Sequence, residues 1–187
     1  MPPTPRLRTV RGTSPRNLDA ARRLFREYAR QIDVDLCFEG FDDELDHLDR
    51  MYGPPAGELW VTWSGPRPVA CVGLRRYSRS DAEMKRLYVR VGHRGRGVGR
   101  RLVRALLTRA RSLGYRAVRL DTLPSMREAQ ALYRSLGFRP IPAYQNSPVP
   151  GTVYLRRTVD RERDADRGRP GATSSPDVRP GSAADRR

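Results

Sequence analysis

The residues Arg94-Gly95-Arg96-Gly97-Val98-Gly99-Arg100 have the composition of an anion-binding turn. They join a strand-like run, Ala82 to Val91, to a helical pattern carried by Val98, Leu102, Leu106, Ala110 and Leu113. Glycines at such a junction let the main chain come close to a ligand, and the first amides of a helix have no partner within it. Those amides and the positive end of the helix dipole favour bound phosphate. Charge points the same way: Met84 to Arg119 holds twelve basic residues and no acidic one, so a polyanionic partner is expected there.

Spacing narrows the choice of phosphate ligand. A P-loop requires a Lys and then Ser or Thr after its last glycine, and neither follows Gly97. A dinucleotide fingerprint requires GxGxxG, whereas Gly95, Gly97 and Gly99 are spaced GxGxG, with Arg100 in the final place. Asp121 stands about where that fold carries its ribose-binding acid. The same fold, however, opens on a parallel strand, and here an antiparallel hairpin comes first.

The elements that must position this turn are legible on both sides. A weakly alternating strand, Arg6 to Arg11, precedes an amphipathic helix, Asn17 to Gln31. Asp33 to Met51 carries eight acids against one Arg, and its Phe41, Leu45 and Leu48 predict a second short helix ended by Gly53, Pro54, Pro55 and Gly57. Leu59 to Trp63 and Pro68 to Tyr77 read as hairpin strands joined through Ser64, Gly65, Pro66 and Arg67. After the Gly-rich turn come a helix stopped by Gly114, a strand from Ala117 to Asp121, and a helix opening near Ser125 and stopped by Gly137. Phe138 to Tyr144 and Val153 to Val159 are the last strand candidates.

Composition sets the outer bounds. The 187 residues suit one domain, residues 1–159, followed by an Asp-, Arg-, Gly- and Pro-rich tail, residues 160–187, expected to be disordered. Net charge is +16, and Lys85 is the one lysine beside 36 arginines, a skew that composition bias alone can produce. No apolar run approaches the roughly 20 residues of a membrane span, and Met1 to Arg8 lacks a signal-peptide core, so a cytoplasmic protein is expected. Cys37 and Cys71 form no CxxC pair and do not cluster with His47 or His93, which predicts no metal site and reads Cys71 as a buried apolar residue.

Three stretches together resemble the GCN5-related N-acetyltransferases (GNAT). Arg94, Gly97 and Gly99 fit that family's Arg/Gln-x-x-Gly-x-Gly/Ala signature. Ala82-Glu83-Met84-Lys85-Arg86-Leu87-Tyr88-Val89 before it, and Ala129 to Phe138 with Tyr133 after it, resemble the flanking motifs in the same order. The resemblance implies an α/β (α+β) fold. Its central sheet is mixed and mostly antiparallel, has six or seven strands and about four helices, and splays in the middle.

It also implies that main-chain groups of Arg94, Gly95, Arg96, Gly97, Val98, Gly99 and Arg100 bind the pyrophosphate of acetyl-CoA, with nearby arginines meeting its 3′-phosphate. Leu87, Tyr88 and Val89 would pair with the pantetheine arm and hold the thioester oxygen. Glu83 occupies the place of the catalytic glutamate found in some members and is the expected base, sharing a strand face with Lys85, Leu87 and Val89 by alternation. Tyr133 matches the general acid that protonates the departing thiolate. The Asn that many members carry seven residues before this Tyr is Met126 here, so Ser125 is the expected replacement contact to the cofactor.

The implied reaction is acetyl transfer from acetyl-CoA to an amine acceptor, bound between Gln31 to Phe41 and Tyr144 to Thr152, without a metal or a membrane. A homodimer is the commonest symmetric assembly. Two other readings stand beside this one: a catalytically silent acetyl-CoA sensor, and a basic nucleic-acid-binding module. The module accounts for the charged stretch but lacks interleaved aromatic residues.

Overall fold

A computed structural model describes residues 6–32, 34, 36 and 40–159. Their order is β1 (Leu7–Arg11), α1 (Pro15–Ile32), α2 (Phe41–Asp46), α3 (Leu48–Tyr52), β2 (Glu58–Ser64), β3 (Arg67–Arg76) and β4 (Asp81–Val89), then a 3₁₀ turn (Val91–His93). The second half is α4 (Val98–Ser112), β5 (Ala117–Thr122), α5 (Arg127–Ser135), β6 (Arg139–Pro140) and β7 (Val153–Thr158). One seven-stranded sheet runs β1-β2-β3-β4-β5-β7-β6. Its neighbours are antiparallel except β4 and β5, which are parallel.

Local chemistry explains the element ends. Ser14 caps α1 by accepting from the Asn17 amide at 3.4 Å, with Pro15 in the first turn where its missing N–H is not needed. Gly114 and Gly137 adopt φ of 85° and 84° just past α4 and α5. There Tyr115 N–H returns to the Ala110 carbonyl and Phe138 N–H to the Tyr133 carbonyl, closing both helices.

The sheet separates two apolar cores. On one face Leu102, Val103, Leu106 and Ala110 of α4 and Tyr133 of α5 pack with Val72, Leu74, Ala82, Met84 and Leu120. On the other, Ala21, Leu24 and Phe25 of α1 meet Leu45, Leu48, Tyr52, Val61, Cys71 and Tyr88. Cys71 is fully buried, as its apolar neighbours predict.

Two expected elements differ. The acid-rich stretch forms two short helices instead of one, because His47, with φ −120° and ψ 35°, leaves the helical region between α2 and α3. The strand expected over Phe138 to Tyr144 shrinks to Arg139–Pro140. Pro140 and Pro142 lack donors, and the Ile141 amide bonded to the Tyr154 carbonyl is the last rung. Cys37 and the expected tail lie outside the described residues, as does part of the segment between α1 and α2. No helix among the described residues is long and apolar enough to cross a membrane.

Asp81, at the first rung of the parallel pair, draws in Arg119 at 2.6 Å and Arg156 at 2.9 Å. Burial alone would raise its carboxyl, but hydrogen bonds from Arg156 and Arg119 hold it down at about 2. An unfolded Asp titrates near about 3.9, so this stabilisation is complete above that pH and is lost as pH falls toward 2. Asp81→Asn is therefore expected to cost on the order of 1 to 2 kcal/mol at pH 7, allowing for solvent screening. Urea unfolding at pH 7 and at pH 2.5 checks this: the gap between variant and wild type should shrink markedly at the lower pH.

Candidate active site

The β4 and β5 backbones pair only at Asp81–Ala117, Ala82–Val118 and Glu83–Arg119. Beyond Glu83 the strands part, so Met84 to Val89 keep β3 on one side and face a gap on the other. The gap opens into a cleft of about 650 Å³. Leu87, Tyr88 and Val89 form one wall, Leu120 to Leu123 another, and α5 with Ala129, Leu132 and Tyr133 a third.

The Gly-rich turn closes one end of the cleft. Gly95 and Gly97 both have φ of 71°, a backbone that side chains other than glycine rarely adopt, and Gly97 caps α4. Gly99 lies where α4, α5 and β4 converge: a Cβ there would make ordinary contacts at 3.4 Å with Leu132 Cδ2 and 3.8 Å with Val89 Cγ2. The result is a helix N-terminus aimed at the cleft. Arg94 does not point freely outward, since its Nε donates to the Val89 carbonyl at 2.9 Å and its guanidinium reaches Gln31 Oε1 at 2.9 Å.

Most expected site residues meet here. Leu87, Tyr88, Val89, Arg94, Gly95, Gly97, Val98, Gly99, Arg100, Ser125 and Tyr133 all line the cleft. Arg96 does not, and its carbonyl instead accepts from Arg101 at 3.1 Å. Glu83 lies outside the lining as well. Its side chain is 1% exposed, its Oε2 is 2.6 Å from Arg75, and its Oε1 accepts from the Tyr144 hydroxyl at 3.0 Å. Tyr133 is buried to its edge, and burial first, then Tyr28 and Asp121, pushes its hydroxyl well above the ordinary tyrosine range.

The expected common face for Glu83, Lys85, Leu87 and Val89 is not observed. Lys85 pairs with Asp121 at 3.1 Å on the side of α1 to α3, while Leu87 and Val89 pack against the α4 core. An irregularity in the β3–β4 register separates the two pairs. The charged stretch is also less anionophilic than its sequence suggests. Five of its twelve basic residues are neutralised by carboxylates from other elements: Lys85 by Asp121, Arg86 by Glu44, Arg90 by Glu27, Arg109 by Glu58 and Arg119 by Asp81. Arg75, Tyr144 and Asp121 are site neighbours that sequence reasoning missed as partners of Glu83 and Lys85. No fixed spacing links them to the motifs, because the sheet brings them together.

A parted parallel pair of strands thus opens beside a helix N-terminus. Residues 19–138 match the acetyltransferase (GNAT) family. An uncharacterized N-acetyltransferase of Schizosaccharomyces pombe is 38% identical over 149 residues, covering 79% of this chain and 91% of its own. N-acetyltransferase 8 of Homo sapiens is 32% identical over 118 residues, 60% of this chain and 50% of the human protein. An acetyltransferase of GNAT family from Staphylococcus aureus MU50 shares the fold with a TM-score of 0.70 at 16% identity, covering 82% of this chain and 99% of that one. The chain belongs to the GNAT family and is an acetyltransferase.

Gly97→Ala places a Cβ in the left-handed region at the α4 cap, at a cost of about 1 to 2 kcal/mol. A thermal melt of this variant is expected to fall by several degrees, and an unchanged melt would contradict the assigned cap geometry.

Proposed function

We propose that this protein is an N-acetyltransferase that moves the acetyl group of acetyl-CoA to a primary amine of a small molecule or peptide, by direct attack in a ternary complex. The observation that carries this reading is the cleft itself, which has open strand edges along its sides, helix amides at one end and Tyr133 in its wall. Amides of the Arg94 to Arg100 turn seat the diphosphate, and the open edge of Leu87 to Val89 takes the pantetheine arm. Ser125, exposed at the mouth of α5, supplies a side-chain contact where Met126 offers none.

An alkyl ammonium with a pKa near about 10.4 must lose a proton before it attacks. Glu83 is the assigned acceptor of that proton. Because its carboxylate is covered, the proton reaches it through the Tyr144 hydroxyl, which passes its own proton to Glu83 Oε1 as it takes one from the amine side. The amine nitrogen then bonds to the thioester carbon, and collapse breaks the carbon–sulfur bond. The thiolate takes the proton of Tyr133, which burial keeps in place at neutral pH, and the proton shed by the acylated nitrogen restores the Tyr133 hydroxyl, leaving a neutral amide and free thiol.

Following free thiol while acetyl-CoA is mixed with a panel of amines, amino acids and peptides tests the reading. Turnover with at least one amine is expected, and binding without turnover across a broad panel would favour a sensor. Tyr133→Phe should lower kcat by about 10- to 100-fold while leaving KM for acetyl-CoA within about twofold. A collapse of folding stability instead would reduce Tyr133 to a packing residue. Glu83→Gln and Tyr144→Phe should each depress turnover most at low pH, and Tyr144→Phe leaves the Arg75 ion pair intact. Unchanged pH profiles in both would remove Glu83 as the base.

A further inference from the structure

In an uninterrupted strand Leu87 and Val89 would follow Glu83 and Lys85 on one face. Here β3 sets Gly73 opposite Lys85 and Cys71 opposite Tyr88, so Val72 alone spans both Arg86 and Leu87. Two residues against one is a β-bulge. At its centre Arg86 has φ of 57°, the one positive value outside glycine among the described residues. That conformation is disfavoured for such a residue by a factor of about 5 to 30.

The side chain shows what holds it. Arg86 grips Glu44 of α2 with Nε at 3.0 Å and a terminal nitrogen at 2.6 Å, and the two residues are 6% and 1% exposed. Tyr52 of α3 donates to Glu44 Oε1 at 2.5 Å. Its ring lies so close to β3 that a Cβ on Gly73 would fall 2.4 Å from it, so the bare Gly73 lets the tyrosine reach the carboxylate. The Arg86 carbonyl accepts from the buried Cys71 thiol at 3.6 Å. Burial raises the Cys71 thiol, so it keeps the proton it donates. The Phe41 ring lies 5.2 Å from the guanidinium.

We propose that Glu44, Tyr52 and Arg86 are positioning residues that fix the β4 bulge, and through it the register in which Leu87 to Val89 present their main chain to the cleft. The inference rests on reading that cleft as the acyl-transfer site. Without the bulge, a one-residue slip sends Leu87 and Val89 to the side of α1 to α3, turns Tyr88 toward α4, and moves the cleft-facing amides with them.

Arg86→Gly and Arg86→Ala, each in a Glu44→Gln background that leaves no unpaired buried carboxylate, separate this device from simple packing. Both lack the guanidinium, but only glycine accepts the left-handed backbone freely. The glycine variant is expected to keep Tyr88 opposite Cys71, read from cross-strand Hα contacts by NMR. Its kcat should exceed that of the alanine variant by about tenfold, with similar KM for acetyl-CoA. Equal kcat in the two variants, or Tyr88 still opposite Cys71 in the alanine variant, overturns the proposal. Should neither double variant fold, Glu44→Gln alone decides: a kcat loss of about tenfold supports the device, and an unchanged kcat overturns it. If the wild-type protein turns over no amine, the functional reading fails, while the NMR contact still decides the bulge.

Discussion

The structure depends on where two parallel strands stop pairing. Three rungs join β4 to β5, and the last is Glu83 with Arg119. Past that rung the strands diverge, leaving main-chain donors and acceptors of β4 without a partner strand. Such groups are costly to bury unless something pairs with them, and a ligand with its own amides can do so. The apolar α4 and α5 keep the gap from closing from one side, and α1 with Val34 and Leu36 bounds the other. The Gly-rich turn then fixes one end of the opening at a helix N-terminus.

Charge serves mainly to hold this divergence in place. Asp81 clamps Arg119 and Arg156 where the strands still pair, and Lys85 bridges to Asp121 just past the split. Arg90 ties the end of β4 to Glu27 of α1, and Arg86 ties its middle to Glu44 of α2. A stretch that looks uniformly cationic in sequence is therefore partly a set of internal ion pairs. Outside those ion pairs the arginines lining the cleft are Arg94, Arg100 and Arg127; Arg94 is engaged with Val89 and Gln31, and Arg100 with the Ser135 hydroxyl.

Much of this was legible from the residues. Hydrophobic spacing at Val98, Leu102, Leu106 and Ala110 placed α4, and Gly114 and Gly137 marked both helix ends because local backbone chemistry decides them. The turn was legible for the same reason, since glycine spacing records backbone shape. What escaped was long-range. Period-two alternation put Leu87 and Val89 with Glu83, and it failed at Arg86, whose left-handed backbone is stabilised by Glu44, 42 residues away in sequence. The covering of Glu83 by Tyr144, 61 residues on, left no local trace either. Pro140 and Pro142 stand in plain view in the sequence, and their missing donors cut the strand to two residues.

The claim beneath all of this is that the parted strands and the α4 amides form a seat for acetyl-CoA. Titration calorimetry of the full chain with acetyl-CoA, beside a Gly97→Ala control, measures it most directly. Saturable one-to-one heat, with weaker affinity in the control, is predicted. No heat at millimolar acetyl-CoA, from protein that melts cooperatively, would contradict it.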